Sequence, residues 1–361
     1  MDAYTPLTKG PPHPAPVRRS EISKLASPEP FTDAELNALL HPDVRSGVLS
    51  DVQLDAVALA RKAHLEGGAI IDGDGTGCGK GRTACGILLN SFKLDGSKRA
   101  VYVSVPATLV DVQRDVRDTK LGVRVHDVRE LSSTPGPGVL FVPYTSFKRK
   151  LDLIKRFLGK ETAKMPIIFD ESHKATNLKT AVGGCVAQFL EEHKDQLHVT
   201  FFSATFATSV KDLELYSSLV GLTGCDGGYG TFEKLRDATK TKGGEEATLE
   251  FLSAELVRRG RLISRTLAFD GVEFEEHSVK LDDTWRAQHD AAATLFHDLF
   301  KLDVWNKTER RAKYYGDSLR FFKALGLASK VEETAALVRA ELAAGHSVVL
   351  SLVGTGEGPG T

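Results

Sequence analysis

Ile70-Ile71-Asp72-Gly73-Asp74-Gly75-Thr76-Gly77-Cys78-Gly79-Lys80-Gly81-Arg82-Thr83 runs from an apolar strand through a glycine-rich turn to a lysine and a helix-like segment, Ala84 to Phe92. Such a turn lays backbone N–H groups around phosphate oxygens, and the helix N-terminus behind it adds partial positive charge. Lys80 stands where a lysine reaches the β- and γ-phosphates. Gly75, Thr76, Gly77, Cys78, Gly79, Lys80, Gly81, Arg82 and Thr83 are therefore candidates to hold a nucleoside triphosphate. The strict pattern GxxxxGK[ST] is broken twice: Asp74 replaces the first glycine and Gly81 replaces the magnesium-binding hydroxyl. Thr83, two residues late, is the candidate substitute for that hydroxyl. Read alone, the run can also be a glycine-rich βα turn with a surface lysine.

Two further apolar runs end in polar residues suited to the same chemistry. Met165-Pro166-Ile167-Ile168-Phe169 leads into Asp170-Glu171-Ser172-His173. Asp170 can organise Mg²⁺ and Glu171 can orient and deprotonate an attacking water; the pair can equally be the acidic first turn of a helix. His198-Val199-Thr200-Phe201-Phe202 leads into Ser203-Ala204-Thr205. In superfamily 2 helicases a Ser-Ala-Thr at this place couples the nucleotide state to grip on nucleic acid, although Ser and Thr after a strand are also ordinary turn residues. The three motifs occur in the required order, each after a strand, at separations that fit one parallel sheet.

The pattern from about 68 to 222 alternates. Strands are expected at Gly68–Asp72, Ala100–Val105, Val123–His126, Gly138–Val142, Pro166–Phe169 and His198–Phe202, with helix-length segments between several of them. This is the α/β signature of a mostly parallel sheet with helices on both faces, which binds ligands at the carboxyl ends of its strands. Gln53, upstream of the loop, can read adenine N6 and N7, or can be a plain helix residue. Pro106 and Thr108 after one strand, and Tyr144, Thr145 and Ser146 after another, can hold a sugar-phosphate backbone or simply cap helices.

Outside this core, residues 1–31 are rich in proline and polar groups and read as an extended or disordered arm. Residues 32–225 form the expected RecA-like ATPase domain. Residues 226–325 form a mainly helical region with one strand-like run, Val272–Val279. Residues 326–361 hold a helix, Ser329 to Ala344, and a strand, His346–Val353, before Gly354-Thr355-Gly356-Glu357; this reads as the start of a second RecA-like domain.

Composition excludes less than the motifs assert. The 361 residues are 41% hydrophobic and 26% charged with a net charge of −1, so a strongly basic nucleic-acid-coating protein is excluded but a local basic groove is not. Arg258-Arg259-Gly260-Arg261 with Arg265 can touch phosphates or form a solvated helix face. Trp285 and Trp305 read as core anchors rather than base-stacking platforms. Cys78, Cys85, Cys185 and Cys225 show no CxxC spacing, which points to a reducing compartment without structural disulfides or zinc. No apolar run is long enough to span a membrane as a helix, and the N-terminus lacks the apolar stretch of a secretory signal.

The segments Asp74–Thr83, Asp170-Glu171-Ser172-His173-Lys174-Ala175-Thr176-Asn177 and Phe202-Ser203-Ala204-Thr205 together resemble Strawberry notch, a family of superfamily 2 helicase-like proteins. The glycine and arginine between Lys80 and Thr83, and the Lys-Ala-x-Asn after the acidic box, carry the resemblance most specifically. It extends to His13-Pro14-Ala15-Pro16-Val17, Gly260–Phe274, Arg320–Lys323, Ala328–Val331 and Val348–Glu357. One departure is Ser172, where the family usually has cysteine. The resemblance implies an ATP- and Mg²⁺-using motor domain in which Lys80, Asp170, Glu171 and His173 serve catalysis and Ser203, Ala204 and Thr205 couple it to nucleic acid. It also implies DNA and transcription or chromatin proteins as partners, with a nuclear location in a eukaryote and a cytoplasmic one otherwise. A superfamily 2 motor needs two RecA-like domains, so weak turnover is expected of this chain by itself. A scaffold that keeps the fold and acts by docking partners is the rival; a P-loop kinase or GTPase is disfavoured by the Ser-Ala-Thr strand, the acidic pair and the lack of an Asn-Lys-x-Asp.

Overall fold

A computed structural model describes residues 3–21, 24–159, 163–223, 230–238, 244–268, 272–302 and 308–352. The chain divides into two compact units, Met1–Asp270 and Gly271–Thr361. Unit one contains β1 (Val17–Arg19), α1 (Asp33–Leu39), α2 (Pro42–Arg45), α3 (Asp51–Leu65), β2 (Ile70–Asp72), α4 (Lys80–Asp95), β3 (Arg99–Ser104), α5 (Leu109–Asp118), β4 (Val125–Asp127) and β5 (Gly138–Pro143). It continues with α6 (Tyr144–Phe147), α7 (Leu151–Leu158), β6 (Met165–Asp170), α8 (Ala181–His193), β7 (Leu197–Phe202), α9 (Phe232–Ala238), α10 (Gly244–Arg258), β8 (Leu262–Ile263) and β9 (Arg265–Leu267).

Seven strands form one parallel sheet in the order β4-β5-β3-β6-β7-β2-β8, and β1 pairs antiparallel with β9. Each of the six expected runs contributes a strand, with the run at 123–126 forming at Val125–Asp127 instead. The runs are apolar on both sides because parallel strands bury both faces under crossover helices. Side chains alternate between those faces. Ile167, Phe169, Val199 and Phe201 enter one core layer with Phe157, Phe189 and Tyr216, while Ile168 and Phe202 enter the other with Leu54, Leu88 and Val116. This alternation locks the register, since a one-residue slip would exchange the two layers.

The proline-rich N-terminal stretch is tied to unit one at several points. Asp55 accepts from the Leu7 and Thr8 N–H groups at 2.9 and 2.7 Å and from Thr8 Oγ1 at 2.6 Å. The Pro11 carbonyl accepts from Asp51 N–H, and β1 lies along β9.

Unit two consists of α11 (Asp283–Phe300), α12 (Thr308–Ala328) and α13 (Val331–Ala343). Phe296 meets Tyr314, Phe321 and Phe322 between the first two helices, and Tyr314 Oη donates to the Phe296 carbonyl at 2.6 Å. Trp285 is half-buried at the start of α11; Trp305 lies outside the described residues. Neither expected strand of this region forms: residues 272–279 and 346–352 run without strand pairing. Extended backbone becomes a strand only with a neighbour for its N–H and C=O groups. The Gly354–Glu357 turn lies outside the described residues.

Candidate functional site

The carboxyl ends of β2, β7, β6 and β3 stand side by side, and the sequence motifs leave the sheet there. After β2 the chain turns through Gly73 to Gly79 and enters α4 at Lys80. Gly79 sits at φ +83°, in the left-handed region, and a Cβ there would run into Gln53 Nε2. Only glycine meets both demands without strain. Among the described residues the N–H groups of Thr76, Gly77, Gly79 and Lys80 meet no acceptor. Together with the first turn of α4 they form an anion-binding concavity. Lys80 Nζ donates to the carbonyls of Asp74 and Gly75 at 2.8 and 3.3 Å, curled back over the loop it would serve. Gln53 is buried under the loop: its Oε1 accepts from Ser50 N–H at 3.0 Å, and its Nε2 faces the Cys78 and Gly79 carbonyls at 3.4 and 3.5 Å. Cys78 is buried, and burial pushes its thiol up to about 12, so it packs as a neutral thiol.

The two departures from the strict loop pattern have structural partners. Asp74 is buried in a fork-shaped ion pair with Arg265, so this arginine is neither a free phosphate contact nor part of a solvated helix face. Gly81 faces α5, where a Cβ would run into Asp115 Oδ2. The buried Asp115 carboxylate, paired with Arg114, occupies the space a hydroxyl side chain would need. Thr83 is buried, and its Oγ1 donates to the Gly79 carbonyl at 3.3 Å, as helix hydroxyls do four residues back. Arg82 is exposed, with Asp118 at 3.7 Å. Below the loop, Asp72 Oδ1 accepts from Asp74 N–H at 3.0 Å, while Oδ2 is buried without a partner among the described residues. Burial, reinforced by the nearby Asp74, pushes Asp72 up to about 7.

Asp170 ends β6, where Ser104 Oγ from β3 donates to its Oδ2 at 2.7 Å. Burial, with Glu171 beside it, raises its carboxyl above the ordinary range. Tyr144 Oη donates to the Asp170 carbonyl at 2.9 Å, which fastens the β5 end to the acidic box. Glu171 takes φ +51° and ψ +45°. His173 Nδ1 lies 3.0 Å from Ser203 Oγ and 3.3 Å from Glu171 Oε2. Ser203 is buried; its N–H donates to the Asp72 carbonyl at 3.0 Å, and its Oγ accepts from Thr205 N–H at 3.3 Å. The acidic box thus touches the Ser-Ala-Thr turn directly, and that turn touches the strand that starts the loop. Ala204 and Thr205 are exposed beside it.

Of the five residues suggested for a nucleic-acid backbone, Pro106 and Thr145 are exposed, Thr108 is half-buried, and Tyr144 and Ser146 are inside. The basic run is occupied internally: Arg258 and Arg259 fork onto Glu255, and Arg261 pairs with Glu66 at 2.9 Å. Cys225 lies outside the described residues; Cys78, Cys85 and Cys185 are free thiols.

Among the described residues no group of three or more His, Cys, Asp or Glu side chains forms a ready metal cage. Mg²⁺ carried with a nucleotide keeps waters and phosphates and takes only one or two protein carboxylates. Asp170 fits as such a carboxylate.

A family described as P-loop containing NTP hydrolase pore-1 matches residues 12–291. The chain is 30% identical to Protein FORGETTER 1 of Arabidopsis thaliana, over 99% of this chain and 30% of that one. It is 31% identical to Protein strawberry notch homolog 2 of Homo sapiens, over 95% of this chain and 27% of that one. It is 28% identical to Protein strawberry notch of Drosophila melanogaster, over 97% of this chain and 24% of that one. The chain therefore spans less than a third of the length of these relatives, and the resemblance read from the motifs holds over nearly all of it. Among solved structures, the Sulfolobus solfataricus SWI2/SNF2 ATPase core in complex with dsDNA superposes with a TM-score of 0.50 at 16% identity, over 85% of this chain and 67% of that one. This likeness establishes a shared fold.

Proposed function

This chain belongs to the family of P-loop containing NTP hydrolases, and from that premise we propose that it is an ATP-hydrolysing domain that couples nucleotide turnover to engagement of nucleic acid. The observation that carries the reading is the convergence of Lys80, the Asp170–Glu171 pair and Ser203 at adjacent strand ends, with His173 bridging Glu171 and Ser203. The amides of Thr76, Gly77, Gly79 and Lys80 cradle the phosphates, and Lys80 exchanges the Asp74 and Gly75 carbonyls for phosphate oxygens. Asp170 would hold Mg²⁺, which when bound neutralises phosphate charge. Glu171 orients and deprotonates the attacking water. A changed position of Glu171 reaches Ser203 and Thr205 through His173. Gln53, buried against the loop backbone, adjusts the loop to the adenine side.

Double-stranded DNA is the proposed polyanion, supported by a fold shared with an ATPase core solved on dsDNA. Pro106, Thr108 and Thr145 at the same strand ends are the proposed contacts. Transcription or chromatin proteins as partners, and a nuclear location in a eukaryotic cell, belong to the same proposal; its support is the kinship with strawberry notch proteins of animals.

One observation favours a second reading, a scaffold with little turnover. The loop lacks a free hydroxyl at its helix start, because Gly81 has none and Thr83 Oγ1 is engaged with Gly79. ATP turnover with and without duplex DNA separates the two. The motor reading expects measurable hydrolysis that falls about 100-fold in Glu171→Gln, with ATP binding retained. Turnover equal in parent and Glu171→Gln would leave the scaffold reading standing.

A further inference from the structure

Arg265 on β9 touches no proposed ligand, yet it is among the most completely engaged side chains near the loop. Its Nε lies 3.0 and 3.1 Å from Asp74 Oδ1 and Oδ2, its Nη2 lies 2.6 Å from Oδ2, and its backbone N–H donates to Oδ1 at 2.9 Å. Its Nη1 donates to the Val52 carbonyl at 2.7 Å, one residue before Gln53, and its own carbonyl accepts from Gly75 N–H at 2.7 Å. The Tyr4 ring covers the guanidinium with its centroid 5.0 Å away. Tyr4 Oη in turn donates to Asp55 Oδ2 at 2.9 Å, and Asp55 also gathers Leu7 and Thr8.

We propose that Arg265 is a positioning residue for the phosphate loop, and that Tyr4 to Thr8 form a strap that holds the guanidinium over Asp74. The proposal rests on the loop being the nucleotide site. Asp74 is the pivot: its carboxylate is gripped by Arg265 while its carbonyl receives Lys80 Nζ. Where strict loops have a flexible glycine, this chain has a residue whose orientation is set from outside the loop. A planar fork of donors fixes a carboxylate in direction as well as distance, which an ammonium does not. A buried pair broken on one side leaves an uncompensated charge, so losing the arginine releases Asp74 to seek water and carries the Lys80 anchor with it.

The test is amide hydrogen exchange of residues 73–79 in the nucleotide-free full chain, alongside ATP titration, in the parent, Arg265→Met, Arg265→Lys and Tyr4→Leu. Arg265→Met should speed exchange of 73–79 and weaken ATP binding by about tenfold or more, with β3 and β6 amides unchanged. Arg265→Lys should recover only part of either effect. Tyr4→Leu, which leaves both charges in place, should shift both in the same direction by about threefold, and it carries the test if the arginine variants do not fold. Parental exchange and binding in Tyr4→Leu and the arginine variants would overturn the proposal. So would faster exchange spread equally over β3 and β6, which marks a role in folding alone. If the parent itself binds no ATP, the nucleotide reading fails, and the exchange pattern still decides whether the clamp exists.

Discussion

Glu171 is one of two non-glycine residues with positive φ among the described residues, at φ +51°. Such a conformation costs about 1–2 kcal/mol and persists where surroundings over-determine it. Here Asp170 is fixed by Ser104 and Tyr144 on one side, and His173 by Ser203 on the other. These contacts hold in place the carboxylate proposed to orient the attacking water. Asp72 offers a second test at this scale. Its carboxyl, held at about 7 by burial and Asp74, binds a proton in the folded chain that the unfolded chain releases near its ordinary pKa of 3.8. The group's cost to stability therefore grows as pH rises from about 4 to about 7, is constant above that, and is nil below about 4. Asp72→Asn, which mimics the neutral form, should raise the melting temperature relative to the parent by about 3 °C more at pH 8 than at pH 5. A constant difference across that range would remove Asp72 as a titrating group. Residue types at the site were readable because chemistry restricts them: a lysine after a glycine turn, two carboxylates after a strand. Their supports were not. Arg265 lies 191 residues from Asp74 and Asp115 lies on another helix from Gly81, and no local pattern announces such pairings.

The helix α3 meets the sheet through an unusual pair of rings. His64 stacks on His198 of β7 with centroids 4.8 Å apart and planes within 2°, and its Nε2 lies 3.0 Å from the Val199 carbonyl. Burial lowers His64 to about 3 and His198 to about 4, against an ordinary 6.5. Both rings are neutral in the folded chain, so their contribution is intact above pH 6.5 and is lost as pH falls towards 4. Thermal unfolding followed from pH 7 to pH 4 should show a decline that His64→Gln makes shallower; an identical slope would place the acid sensitivity elsewhere. This trend opposes that of Asp72, so each variant must be compared with the parent at the same pH. At this scale the sequence was most legible where burial is two-sided. The strands at 100–105, 138–142, 166–169 and 198–202 read as apolar runs because both faces are covered, and they formed as such. The runs at 272–279 and 346–352 have strand-like composition, and among the described residues they pair with no strand. The short edge strand β8 went unread because two residues carry no periodicity.

The first unit assembles strand ends, loop and N-terminal segment around one polar site, and it contains most of the span matched by the NTP hydrolase family. Its seven-stranded parallel sheet supplies the positions; the helices behind the loop supply charge and cover. The expectation of a RecA-like fold followed from motif order, because a lysine loop, an acidic box and a hydroxyl turn can meet only if their strands lie parallel and close together. Pairing of β2 with β7 and of β7 with β6 satisfies that requirement. The phosphate loop is tested most simply by a titration of this chain with ATP in the presence of Mg²⁺, compared with Lys80→Ala and with GTP as competitor. The expected result is saturable ATP binding that weakens at least about tenfold in Lys80→Ala, a loss of about 1.4 kcal/mol or more, with GTP competing poorly. ATP binding of equal strength in the parent and in Lys80→Ala would contradict the assignment of the loop from Gly75 to Thr83 as the phosphate site.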